Sequence, residues 1–478
     1  MITGRRCSGL AVLCLLAAPA QAHSFGKLYT LPVPFWLYGW ASAAALLLSF
    51  LVLAWFFSQP GARQTTPAVA PIYRDFPRGL LLLLKSLALL ALLLCIAAGF
   101  LGTQDAYRNI NMTLFWIVFV LGMTYATVLV GDVFALANPW RAWAGGRYAY
   151  PRWLGHWPAL LLYVGFVWSE LFADYSPQSL AAILLGYTLL NLLAAWLFGA
   201  RDWFHYGEFF SVMFRLLGKM APLAYRDASE TDASDVPGWR WRWPGAGLLA
   251  SRPSSLSEVL FILFMLSSTA FDGFHATQAW ALVFWQDIFA LLSPWLGSNI
   301  VTAYATLKPL YVLYQTVALL LSPLLYLAIF ATFLWLMKHI TASALSLDEL
   351  ICRFSYSLLP IVVVYHFTHY FTLLLGQGSQ ILHLLSDPLG AGWNLLALDA
   401  ATPTGLLLNM AWVWHIQVAA ILLGHIASVV VAHEMARRLF PTPSAVWRSQ
   451  LPLLILMMAF TVFGLWILAL PLSTEVLR

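Results

Sequence analysis

The chain has 478 residues, 61% of them hydrophobic and only 9% charged, against about 25% charged in an ordinary soluble domain. That composition excludes a water-soluble globular fold, and the formal charge of +5 says less than where the charges fall. Apolar runs of about 20 residues, enough to cross hydrocarbon as helices, recur from end to end. The 23 tryptophans suit the two headgroup interfaces.

In chain order, residues 1–22 read as a secretory signal: Arg5 and Arg6, an apolar stretch over 9–19, then Ala20-Gln21-Ala22 as a cleavage site. Cleavage there would make His23 the first residue of a single polytopic membrane domain, 23–478. Ten spans follow, at roughly 34–57, 79–101, 113–136, 157–173, 179–199, 256–273, 310–337, 354–376, 407–436 and 450–472. The interrupted segment 280–296 reads as an interfacial or re-entrant piece, a lid over the outer face. The expected fold is therefore an all-α, polytopic transmembrane helix bundle.

Basic residues orient it. With His23 outside, nineteen Lys and Arg fall on inner loops, and only Lys27, Arg108, Lys308 and Arg478 fall outside. This asymmetry predicts an N-out, C-out protein of a bacterial inner membrane. The longest inner loop, 200–255, opens with HYGEFFSVMFRLLGKM, which reads as a helix lying in the interface. A polar linker and the Trp/Arg-rich WRWRWPG follow, read as a membrane anchor and not as a nucleic-acid site. The lipid bilayer is the one partner implied, with a small apolar substrate compatible with it.

Ionisable groups inside spans mark candidate chemistry. His366 and His369 in YHFTHYF share one helix face, about one turn apart. His415 enters at similar depth on the ninth span. Asp272 and His275 end the sixth span, and Glu170 ends the fourth. Imidazoles and carboxylates at one depth suit a divalent transition metal, Zn, Cu, Fe or Mn. The ligands would be His366, His369, His415 and His275, with Asp272 and Glu170 as catalytic carboxylates. A processed N-terminal His23 would add a copper-type chelate, and a single haem between His369 and His415 is an alternative. Toward the inner side, Asp132, Asn138 and Arg141 in GDVFALANPWRAW read as a structural cluster. Cys7, Cys14, Cys95 and Cys352 have no CxxC or Cys/His spacing.

Five segments carry a resemblance: TLPVPFWLYGWASAAALLLSF (30–50), GDVFALANPWRAW (131–143), YGEFFSVMFRLLGKMAP (206–222), STAFDGF (268–274) and NMAWVWHIQVAAILLGHIASVVVAHE (409–434). They resemble a family of bacterial integral membrane proteins commonly named fenitrothion hydrolase. The resemblance implies hydrolysis of organophosphorus triesters, with a metal-bound water as one route. A periplasm-facing copper or haem redox protein and a transporter are the competing expectations.

Overall fold

In hydrocarbon, every backbone N–H and C=O must be satisfied within its own segment, which makes long helices the natural form of this sequence. The computed structural model describes residues 21–24, 27–30, 34–57, 73–142, 146–173, 175–226, 238–297, 299–398 and 409–470. The signal segment expected over 1–22 lies almost wholly outside them. Gln21–Ser24 (β1) pairs antiparallel with Lys27–Thr30 (β2), so His23 sits opposite Leu28.

The principal helices are α1 (Phe35–Phe57), α2 (Arg78–Leu101), α3 (Ile110–Val130), α4 (Trp157–Phe172), α5 (Pro177–Phe198) and α6 (Phe209–Gly218). They continue with α7 (Leu256–His275), α8 (Gln278–Leu296), α9 (Ile300–Thr341), α10 (Leu347–Phe354), α11 (Leu359–Gly378), α12 (Met410–Leu439) and α13 (Pro443–Ala469). Among the described residues, ten helical segments are long and apolar enough to cross a membrane, so the chain is a multi-pass membrane protein. Leucines on α2 such as Leu82, Leu90 and Leu101 are largely exposed and form part of the lipid-facing belt. Helix α7 is the opposite case. Val259, Phe261, Ile262, Leu263, Phe264 and Leu266 are fully covered, as expected of a helix that is apolar all round and sits at the centre.

Two segments differ from the sequence reading. The first is 280–296, which belongs to α8 and is a full-length helix of a hairpin. Trp280 stacks on Tyr314, Phe284 packs on Tyr311, and Trp285 stacks on Tyr304. Helix α8 therefore runs back-to-back along the first turns of α9, past the end of α7. Helix α9 then descends beside α7, with Ser267 bonded to Ser322 midway and Arg252 paired with Glu349 at the opposite end. Helix α4, expected as a span, has sixteen residues and is shorter than any of the ten candidate spans.

The second is α6, expected to lie in the interface. Its residues are buried except for the partly covered Arg215. Phe209 packs on Tyr163 and Phe166, and Phe210 and Phe214 pack on Phe119. The helix is a plug inside the bundle because its phenylalanines find aromatic partners on three spans. Its N-cap, Glu208, is fully buried and accepts bonds from Phe210 N and Ser211 N. The Trp/Arg-rich stretch beyond it contributes a strand. Arg74–Asp75 (β3), Leu223–Arg226 (β4) and Gly238–Trp241 (β5) form a small antiparallel sheet with β5 in the middle. Gly131, with φ +103°, ends α3 beneath this sheet, and a Cβ there would stand 2.8 Å from Leu223 O.

Asp132 caps the short helix Val133–Ala137 and Asn138 donates to Ser211, so that cluster is structural. His156 is 1% exposed at the start of α4. Its Nε2 accepts from Arg215 Nη2 at 3.3 Å, its Nδ1 faces Ser255 at 3.4 Å, and Glu258 lies 4.0 Å away. Burial, and after it the Arg215 guanidinium, hold this imidazole below the ordinary histidine pKa, against an opposing pull from Glu258. The unfolded chain binds a proton here near pH 6.5 and the folded one only at lower pH. Stability is therefore full above about pH 6.5 and declines as the pH falls below it. Thermal unfolding in detergent across this range should show that slope, and His156→Gln should flatten it.

Helices α2 and α5 approach closely at Gly99, where a Cβ would meet Pro177 O at 2.4 Å and Ala181 Cβ at 2.5 Å. Gly99→Val should cost about 1–3 kcal/mol through overpacking. Denaturant titration in detergent would read this as an earlier midpoint, and an unchanged midpoint would contradict the packing described.

Candidate functional site

Three helices bring chemistry together in the half of the bundle away from the basic loops. Helix α4 delivers Glu170 and α7 delivers Asp272, each near its C-terminal end, while α11 delivers His366, His369 and Tyr370 from its middle turns. His369 Nε2 lies 2.7 Å from Asp272 Oδ2. The Tyr370 hydroxyl lies 2.8 Å from the same oxygen and 3.0 Å from Glu170 Oε1. One phenol thus bridges two carboxyl groups, and one carboxylate oxygen faces two donors.

Hydrogen counting assigns the protons. A phenol has a single hydrogen to donate, and its oxygen can also accept. Asp272 Oδ2 takes the bonds from His369 and Tyr370, which leaves it in the acceptor-only, ionised form. The phenol hydrogen is then spent, and the 3.0 Å contact to Glu170 is a bond only if Glu170 supplies the hydrogen itself. One protonated carboxyl in the pair, on Glu170, satisfies this count.

These groups open into a cavity of about 240 Å³. Trp116, Tyr163, Phe166 and Tyr175 supply aromatic walls, while Glu170, Asp272, His366 and Tyr370 supply the polar face. Trp116 and Val120 come from Thr113–Gly122, the π-helical part of α3, a geometry found disproportionately at functional sites. His366 is held by Tyr125, whose hydroxyl is 3.2 Å from Nδ1. His369 faces the other way, into a second, smaller pocket of about 30 Å³ lined also by Thr269, Gly273, Thr368 and Gly464. That space is about what one water needs.

Among the described residues, no three His, Cys, Asp or Glu side chains are grouped so as to hold a metal ion. His366 and His369 share a helix face, but one ring is held by Tyr125 on α3 and the other by Asp272 on α7. His275 folds back on its own helix, with Nδ1 2.8 Å from Asp272 O and the ring stacked on Phe271. His415 is exposed on α12 and lines neither cavity. The side chain of His23 lies outside the described atoms, and the copper chelate with it. Tyr370 and Tyr125 are the functional residues that sequence reading missed. Both letters were visible, Tyr370 inside YHFTHYF itself, but the histidines drew the attention.

No family model, no curated protein and no solved structure matches the chain.

The proton assignment has a direct readout. The infrared spectrum should contain the carbonyl stretch of a protonated carboxyl, shifted in D₂O and abolished by Glu170→Gln. Retention of that band in Glu170→Gln would mean the proton lies elsewhere.

Proposed function

We propose that this chain is a membrane-embedded hydrolase of small apolar organophosphorus triesters, working by general acid–base catalysis at the Glu170–Tyr370–Asp272 site. The observation that carries the reading is the aromatic cavity of about 240 Å³ into which a neutral acid, an ionised carboxylate and an imidazole all open. The resemblance of five chain segments to the fenitrothion hydrolase family supports the substrate class.

The residues divide the work by environment. His366 is oriented by Tyr125 through Nδ1, which leaves Nε2 as the base that takes a proton from water. That water attacks phosphorus, the phosphorus–oxygen bond to the aryl group breaks, and the electron pair leaves with the nitrophenolate. The leaving group is stable as an anion and needs no acid. As substrate enters, the Glu170 hydrogen turns from the Tyr370 oxygen to the thiophosphoryl group and bonds to it while negative charge builds there. Asp272, fixed by His369 and Tyr370, keeps the second carboxyl charged so that the proton stays on Glu170. An apolar aromatic substrate dissolves in lipid and reaches the cavity between helices.

The test is nitrophenolate release by membranes containing the chain. His366→Ala and Glu170→Gln should each lower turnover by roughly 100-fold or more, with His415→Ala unchanged. Absence of turnover in membranes that hold the folded protein would end the hydrolase reading. Loss of turnover on adding chelator would return the chemistry to a metal.

A second reading has its own observation. The chain Glu170–Tyr370–Asp272–His369 joins the large cavity to the small pocket on the other side of α11. A proton relay between two compartments is what a proton-coupled transporter needs. Proteoliposomes that move solute with a proton gradient but release no product would select it.

A further inference from the structure

At the basic end of the bundle, three arginines from three separate elements line one pocket of about 320 Å³. Arg252 follows the short helix Ala246–Ala250, Arg353 lies on α10, and Arg438 lies in the last turn of α12. The counter-charges are too few. Glu349 serves both Arg353, at 2.6 Å, and Arg252, at 3.5 Å. Glu434 serves both Arg437, at 3.0 Å, and Arg438, at 3.1 Å. Each carboxylate is shared by two guanidiniums, so each set keeps a positive charge, and Asp348, the nearest further carboxylate in the chain, is exposed. The Arg438 Nη1 also donates to Leu249 O at 2.9 Å, which anchors that guanidinium beside the pocket. Every guanidinium carries five N–H donors, and the bonds described leave several unused in each.

The rest of the wall is apolar: Leu248, Leu249, Phe354, Met435 and Leu439. Free phosphate would satisfy the guanidiniums but leave these side chains facing water. A phospholipid satisfies both, with its phosphate among the arginines and its first acyl carbons along the leucines. The site also lies where α12 ends, the level at which a spanning helix meets headgroups. We infer that this pocket binds the headgroup of an anionic phospholipid, the phosphodiester bridging Arg252, Arg353 and Arg438. A zwitterionic lipid brings an ammonium into a pocket already rich in positive charge and is disfavoured.

The full-length protein in mild detergent would be examined by native mass spectrometry with phosphatidylglycerol or phosphatidylcholine added. Arg252→Gln/Arg438→Gln removes two guanidiniums whose side chains are more than half exposed, and Arg448→Gln is a single-charge control at the same end. Phosphatidylglycerol adducts should exceed phosphatidylcholine adducts on the parent chain. The double variant should lose them about tenfold, a loss of about 1.4 kcal/mol, and the control should keep them. Equal retention of the two lipids overturns the proposal. So does an equal loss in Arg448→Gln, which would indicate general surface charge. Displacement of the lipid by an equal concentration of inorganic phosphate would assign the site to the free anion and overturn it as well.

Discussion

A charge inside the bilayer has to be paired or neutralised, and the Tyr370 hydroxyl is where this protein does it. Two carboxyls and an imidazole from three helices converge on or beside that one group. Without the phenol, Glu170 and Asp272 would face each other across an apolar cavity with only His369 to offset them. The helices α4, α7 and α11 are therefore tied at one point by chemistry as well as by packing.

The fold was largely legible because hydrophobic length is a strong signal and lipid imposes few alternatives. Nine of the ten expected crossings coincide with helices long and apolar enough to span, and they follow from the apolar runs. What escaped reading were the helices whose environment is set by partners. HYGEFFSVMFRLLGKM looks interfacial by composition, since apolar and basic residues alternate in it. Only the presence of Phe119, Tyr163 and Phe166 on neighbouring spans makes it an internal plug. The segment WALVFWQDIFALLSPWL looked too interrupted to count as a span and was read as interfacial or re-entrant, yet Pro294 sits near its end and costs the helix little.

The candidate site was half legible. Asp272, Glu170, His366 and His369 were named from depth alone, and the structure brings the first three around one cavity with His369 bonded to Asp272 from a second pocket. A spacing of three fixes the face of a helix but not the partner each ring takes. His366 turns to Tyr125 and His369 to Asp272, and neither partner could be known without the packing of α3 and α7 on α11. His415 illustrates the same limit. Its depth was right, but the face of α12 that meets α11 carries Gln417, bonded to Thr368 O, while His415 points away.

Helix α9 is forty-two residues long, about 63 Å at 1.5 Å per residue, roughly twice the hydrocarbon thickness. Its first fourteen residues, braced by α8, stand about 20 Å past the point where Trp280 stacks on Tyr314. A braced two-helix rod of that kind acts as a ruler. Any body resting on its tip is held at a set altitude above the aromatic cavity, and the altitude changes only in steps of whole helical turns. Shortening the mast on both helices by one turn would lower that body by about 5.4 Å without altering a single residue of the site.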